Sequence, residues 1–434
     1  MKKRGIAITL TLVYFLMLLV YVNELFFASD EGDVFMVGSA IANGRLLYRD
    51  ITSQHMPVMY YIAAVFSSIG ADTIVEFRLC FYLLMAVLWG IMYYRYSEHI
   101  GGKVIALYPV LYIVLLSYID LGYAVLSDQI QGFGMAILMF ELLIFEKTRK
   151  LETGNMVMIS MAVFLSFGSA FVAAFAIFFV VLTVVALELQ RYFQMKMGFG
   201  QALAQLGKSY WKLVAIVVAP LAIVVIYYAL TGTLDDFWGW AYTINRSVYP
   251  KYNAYGSGIL ESMFGGCKKI VNALRFSISD ITYRGIVYYL STVLAVCALG
   301  YIQKSRRNII LTAGIFFIWS GAATRGLFSF HGTPAMAVLC VLGAYIIAHI
   351  ETKFRRSYFL KSVALVFMLL YLLPYSKIAI GFSPVQMIES FKIDEKSPSY
   401  VIDLITEDKE VVGFSTFDTH YVFESGISPT KLHA

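Results

Sequence analysis

The chain has 434 residues, of which 59% are hydrophobic and only 14% charged, whereas a soluble domain carries about a quarter charged residues. Mean hydropathy is +0.72, and apolar runs long enough to cross a bilayer recur along the sequence, which excludes an ordinary soluble domain and predicts an all-α polytopic membrane protein. The net charge of +6 does not point to nucleic acid, because the basic residues sit in segments flanking the apolar runs.

The first apolar run, 5–27, is longer than the core of a secretory signal and lacks a small-residue cleavage site, so it is expected to remain as a start-transfer helix. A polar island follows: Ser29-Asp30-Glu31-Gly32-Asp33, then Gly44-Arg45-Leu46-Leu47-Tyr48-Arg49-Asp50, then His55-Met56-Pro57. The run 57–70 is apolar, aromatic and led by proline, but at about 14 residues it is short for a span and suits a helix lying in the interface. Further spans are expected at 77–94, 103–118, 128–146, 155–168, 170–188, 212–230, 285–302, 309–323, 332–349 and 358–375, eleven in all. Two domains follow: a membrane domain, 1–375, with outer loops 28–76 and 231–284, and an outer segment, 376–434. In the latter, a helix near 397–407 and a strand at 410–414 suggest a short α/β tail.

Orientation follows from the distribution of Lys and Arg. With 57–70 left in the interface, the cytoplasmic segments hold 19 of the 34 basic residues in only 70 positions, as the positive-inside rule requires. Counting 57–70 as a span would place Lys304, Arg306, Arg307, Lys353, Arg355 and Arg356 outside. The N-terminus is therefore read as cytoplasmic and the C-terminus as extracytoplasmic.

A conduit for ions or protons carries ionisable groups near the bilayer midplane. Here the apolar runs are nearly clean, with Glu141 towards the cytoplasmic end of its run and Glu24 near the outer end of the first. Asp30, Glu31, Asp33, Asp50, Asp120 and Asp128 gather on the outer side instead. That pattern fits an interfacial enzyme, in which a carboxylate takes a proton from an attacking hydroxyl or amine and cations hold a phosphate as it leaves. Cys80, Cys267, Cys297 and Cys340 have no metal-ligand spacing and are read as packing residues.

The sequence resembles the integral-membrane glycosyltransferases of the GT-C superfamily, in particular the protein O-mannosyltransferase and lipid A aminoarabinose transferase branch. The resemblance is carried by Asp30-Glu31, by Gly44-x-x-x-Tyr48-Arg49-Asp50, by His55-x-Pro57-x-x-Tyr60, by Asp128 opening a later helix, and by Arg325 through His331-x-x-Pro334. It implies a GT-C-like bundle of about eleven helices, with interfacial helices in the first outer loop and catalysis on the outer face of a bacterial plasma membrane. Asp30 would be the catalytic base, with adjacent Glu31 as the alternative. Arg49, Asp50, His55, Asp128, Arg325 and His331 would bind substrate. The partners implied are a polyprenyl-phosphate-linked sugar, a glycan, lipid or protein acceptor, and membrane lipid, with no cofactor and no metal requirement; oligosaccharyl-transferring relatives use a metal held by carboxylates, which keeps that option open for Asp30, Glu31 and Asp33. Departures are Met56, where some relatives have lysine, the turn Gly168-Ser169-Ala170 without a basic residue, and a shorter tail.

Two other readings compete with the transferase. A lipid-linked glycan transporter or flippase predicts a polar track through the bundle. A non-catalytic scaffold predicts indifference to Asp30→Asn. Asp128 after Ser127 also reads as a helix cap, and the aromatic residues Trp238, Trp240, Tyr242, Tyr249, Tyr252 and Tyr255 suit either sugar stacking or an interfacial belt.

Overall fold

The structure, a computed structural model, describes residues 2–22, 29–116, 122–248, 262–267, 296, 306–325, 330–353 and 432–433. Helices dominate these residues. In chain order they are α1 (Lys2–Leu18), α2 (Ser29–Ala42), α3 (Val58–Ser68), α4 (Ile74–Ile100), α5 (Gly102–Leu116), α6 (Ser127–Thr148), α7 (Thr153–Phe167), α8 (Ala173–Gln194), α9 (Phe199–Leu230), α10 (Leu234–Phe237), α11 (Arg306–Ala322) and α12 (Thr333–Lys353). A wider-turned helix, Trp238–Val248, continues directly from α10.

Among the described residues, six helical stretches are long and apolar enough to cross a membrane: Lys2–Tyr21, Ile74–Ile100, Ser127–Thr148, Ala173–Gln194, Phe199–Leu230 and Phe330–His349. Three more expected spans fall on Gly102–Leu116, Thr153–Phe167 and Ile309–Ala322, which are apolar but shorter. The last two, 285–302 and 358–375, lie outside the described residues, so six of the eleven expected spans meet the length requirement here. Most of the C-terminal tail, with its expected helix and strand, also lies outside. Its described residues, Leu432–His433 (β2), run parallel to Ile51–Thr52 (β1).

Helix α6 is the axis of the bundle. It is buried from Asp128 to Phe145 and packs on α7 and α12, while α12 also packs on α5. Small residues permit this approach: a Cβ on Gly134 would collide with Ser166 and with the carbonyl of Ala162 on α7. Helices α1 and α4 pair beside this core, and α8 pairs with α11.

The segment 28–76, expected as an outer loop, is more ordered than its polarity suggests. Residues 29–42 form a helix, α2, which pairs with α3. Gly38 meets Ala63 so closely that a Cβ would stand 2.5 Å from the Ala63 Cβ; burial against a neighbouring helix overrides the low helix propensity of glycine. Helix α4 begins with a reciprocal cap, in which the Thr73 side chain accepts from the Glu76 amide at 3.3 Å and Glu76 accepts from the Thr73 amide at 2.9 Å. That start fixes the height of Arg78, one turn further on.

Candidate functional site

At one end of the bundle the first turns of α2 and α6, the 53–56 segment and the residues around the start of α12 enclose a pocket. Its lining includes Asp30, Asp33, His55, Tyr60, Asp128, Arg325 and His331. Residues as far apart as 30 and 331 thus face one another. The space they share is about 20 Å³, room for one water. A sugar ring would sit at its mouth or displace the pocket methionines, Met56 and Met59, whose unbranched side chains repack readily.

Asp128 stands in the first turn of α6, where the helix dipole favours a carboxylate. It is 2% exposed and makes no side-chain cap, because residue Leu126 occupies the capping position without a side-chain bond. Its Oδ1 faces His331 Nδ1 at 3.4 Å and Arg325 Nη1 at 3.9 Å. Both separations exceed the 2.7–2.9 Å of a strong charge-assisted bond. The Arg325 guanidinium and the His331 imidazole are therefore near the carboxylate without being locked to it.

His55 is half-buried, and burial, reinforced by Arg325 and His331, holds its imidazolium below the usual histidine range despite the opposing pull of Asp30 and Asp128. At neutral pH it is an uncharged hydrogen-bonding group. Its backbone is held on both sides: Tyr48 Oη donates to the His55 carbonyl at 2.8 Å, and the His55 amide donates to Ser53 Oγ at 3.1 Å. Tyr48 itself adopts a left-handed backbone, φ +73°, a costly conformation for an aromatic residue and one that tertiary contacts must hold. The helix Trp238–Val248 reaches the same segment through Asn245 Nδ2, which donates to the Gln54 carbonyl at 2.5 Å. This brings part of the segment 231–284 against the segment 28–76. Tyr249, Tyr252 and Tyr255 lie outside the described residues; Trp238 stacks near Tyr242 with ring centroids 4.4 Å apart.

From Ser53 the hydrogen bonds run inward. Ser53 Oγ and Tyr60 Oη are 2.7 Å apart, and Tyr60 donates to Asp33 Oδ2 at 2.7 Å. The other oxygen, Asp33 Oδ1, is buried with no hydrogen-bond partner among the described residues. Burial, opposed by the Tyr60 bond and reinforced by the charge of Asp30, raises the Asp33 carboxyl to about 7. Asp33 belongs to the outer carboxylates that the sequence gathers and Tyr60 to a quoted motif, but neither they nor Ser53 are among the expected catalytic or substrate-binding residues.

Glu31 is placed quite differently from Asp30. Asp30 is half-buried and lines the pocket. Glu31 is 1% exposed and accepts from Arg78 Nε at 2.9 Å, Arg78 Nη2 at 2.7 Å and the Val125 amide at 3.0 Å. Arg78 also donates to the Val22 carbonyl at 3.1 Å. This cluster ties α2, α4 and the approach to α6 together. Its signal in the sequence was Arg78, a cation inside an apolar run, which demands a partner.

Arg49 and Asp50 do not line the pocket. Arg49 Nε donates to Asp50 Oδ1 at 3.0 Å with the arginine side chain 52% exposed, and the Leu46 amide donates to Asp50 Oδ2 at 2.8 Å. Both bonds hold the Asp50 carboxyl below its usual range. Asp120 lies outside the described residues. Among the described residues, no group of three or more His, Cys, Asp or Glu side chains is disposed to hold a metal ion.

Comparison with models of protein families gives no match, and neither does comparison with curated proteins. Among solved structures, the chain is similar to the oligosaccharyltransferase AglB of Archaeoglobus fulgidus in complex with an inhibitory peptide and a dolichol-phosphate. The identity is 12% and the TM-score 0.46, over 98% of this chain and 64% of that one. It is also similar to an Archaeoglobus fulgidus oligosaccharyltransferase in complex with zinc and sulfate, at 12% identity and TM-score 0.45, over 95% of this chain and 57% of that one. The chain spans less than two thirds of the length of either.

Proposed function

We propose that this chain is a membrane glycosyltransferase that moves a sugar from a polyprenyl-phosphate donor to an acceptor hydroxyl or amine at the outer face of a bacterial membrane. One observation carries the reading: Asp30, His55, Asp128, Arg325 and His331, drawn from distant parts of the chain, line a single pocket at one end of an apolar bundle. A carboxylate beside cations at a bilayer edge suits a substrate that brings its own phosphate on a lipid tail.

In this reading Asp30 takes the proton of the acceptor as its oxygen or nitrogen attacks the anomeric carbon. The bond from that carbon to the phosphate oxygen breaks, and its electron pair leaves with the lipid phosphate. Attack from the face opposite the leaving group inverts the anomeric configuration. Arg325 and His331 stabilise the phosphate, exchanging their long contacts with Asp128 for the donor. Asp128 keeps these cations in place between turnovers, and neutral His55 hydrogen-bonds donor or acceptor. Glu31, with both oxygens engaged, positions α2 rather than accepting the proton. Arg49 and Asp50 shape the loop that presents His55.

The test is transfer by the purified full-length chain in nanodiscs, offered a panel of polyprenyl-phosphate sugars. The reading expects one donor to be consumed, with free polyprenyl phosphate and an inverted glycoside formed in equal amounts. Donor that moves between leaflets of proteoliposomes without being consumed would favour a flippase. Donor neither consumed nor moved, with Asp30→Asn cells unchanged, would favour a scaffold.

A further inference from the structure

The end of the bundle opposite the pocket carries a second site of a different kind. The beginning of α1 and the end of α4 border a polar cleft of about 480 Å³, lined by Lys3, Arg4, Tyr94, Arg95, Glu98 and His99. Two of these charges satisfy each other: Lys3 Nζ stands 2.8 Å from Glu98 Oε1 and 5.0 Å from the centre of the Tyr94 ring. Arg4 and Arg95 have no salt bridge among the described residues. Arg95 is half-buried, and its guanidinium lies against Gly154 at the start of α7, where a Cβ would collide with it. Arg95 thus reaches from the cleft towards α7, where its charge also acts on Glu141. Beyond the internal ion pair, the cleft lining carries the two arginines Arg4 and Arg95.

The cleft also continues into apolar surface. On α1, Arg4 is followed at four-residue intervals by Ile8, Leu12 and Leu16, exposed by 63%, 59% and 63%. On α4, Tyr94 is preceded by Ile91, Val87 and Leu83, all exposed. Residues three and four apart share a helix face, so each stripe runs from the cleft towards the bilayer centre. Helices α1 and α4 are packed together, with Gly90 against Thr11, so the two stripes lie on adjoining helices. A basic cleft at the membrane edge leading into paired apolar stripes has the shape of an amphiphile: an anionic head and two chains.

We propose that this cleft binds an anionic phospholipid, its headgroup phosphate on Arg4 and Arg95 and its acyl chains along the stripes of α1 and α4. The site is separate from the pocket, and its occupancy does not depend on the transfer reaction. The occupant is a lipid rather than free phosphate because the stripes, which a free ion would leave bare, begin at the cleft itself.

Native mass spectrometry of the purified full-length chain tests this, with equal amounts of dioleoylphosphatidylglycerol and dioleoylphosphatidylcholine in the micelle. Each cation near a membrane surface contributes about fivefold in affinity, so two predict about a tenfold or greater preference for phosphatidylglycerol. The preference should fall to parity in Arg4→Gln/Arg95→Gln and should survive millimolar inorganic phosphate. If the double variant fails to fold, the exposed single variant Arg4→Gln should still lower the preference about fivefold. Equal retention of the two lipids by the wild type overturns the proposal, as does an unchanged preference in a folded variant. Displacement by inorganic phosphate overturns the lipid assignment.

Discussion

Glu31 and Asp128 lie at the same end of the bundle, each nearly inaccessible and each facing cations, yet they are held in opposite ways. Glu31 receives three hydrogen bonds at 2.7–3.0 Å, two of them from one guanidinium. Asp128 meets Arg325 and His331 only at 3.9 and 3.4 Å. A buried carboxylate with both oxygens engaged, one of them twice, is committed to its protein partners and works as an anchor. A carboxylate with loosely placed cations leaves those cations able to turn towards another anion. Asp30, next to the anchor in sequence, faces the pocket shared by the loose cluster. The contrast separates residues that hold the end of the bundle together from residues that can do chemistry there.

Breaking the anchor should produce the largest loss of stability. Glu31→Ala strands Arg78 as a buried charge, which typically costs about 3–5 kcal/mol, and should lower the unfolding midpoint of the protein in detergent. Replacing both partners with apolar residues of similar volume should recover much of that loss.

The Asp33 carboxyl gives a pH signature of the same end. Its folded value is about 7 against an ordinary 3.8, so between those values the native state keeps a proton that the unfolded chain has released. Stability from this group is therefore greatest below about pH 4 and falls as pH rises to about 7, by on the order of a few kcal/mol. Unfolding measured across that window should show the decline, and Asp33→Asn should flatten it.

Within the loose cluster, Arg325→Gln should weaken donor binding about tenfold to hundredfold, as expected for losing a charged hydrogen bond worth about 1.5–3 kcal/mol. The unfolding midpoint should change far less than in Glu31→Ala, because Arg325 is not locked to Asp128. The smallest effect belongs to the exposed pair: Arg49→Gln should leave donor affinity and thermal midpoint within measurement error, since its partner Asp50 keeps its bond from the Leu46 amide.

Six of the eleven expected spans were legible in the sequence, because apolar length is a direct consequence of bilayer thickness. The sequence also gathered Asp30, His55, Asp128, Arg325 and His331 as candidates, and these five line the pocket. Asp30 and Glu31 could not be told apart, because neighbouring residues on a helix point about 100° apart and the phase of α2 is set by packing on α3. Arg78 went unremarked at the start of its apolar run, and its partner lies 47 residues away, with no local pattern to join them. Arg49 and Asp50, expected to bind substrate, pair with each other across one peptide bond and stand outside the pocket lining. The helix at 29–42 was hidden by its glycines and acidic residues; Gly38 serves close packing on Ala63 rather than a loop.

The most direct test of this division of labour compares Asp30→Asn and Glu31→Gln side by side, scoring turnover per folded molecule, donor affinity and unfolding midpoint. The account predicts that Asp30→Asn loses turnover by about 10²–10⁴-fold while it keeps its midpoint and binds donor. Glu31→Gln should lose stability first and retain turnover in the fraction that stays folded. A fully folded Asp30→Asn protein with wild-type turnover, or a stable Glu31→Gln protein with none, would contradict it.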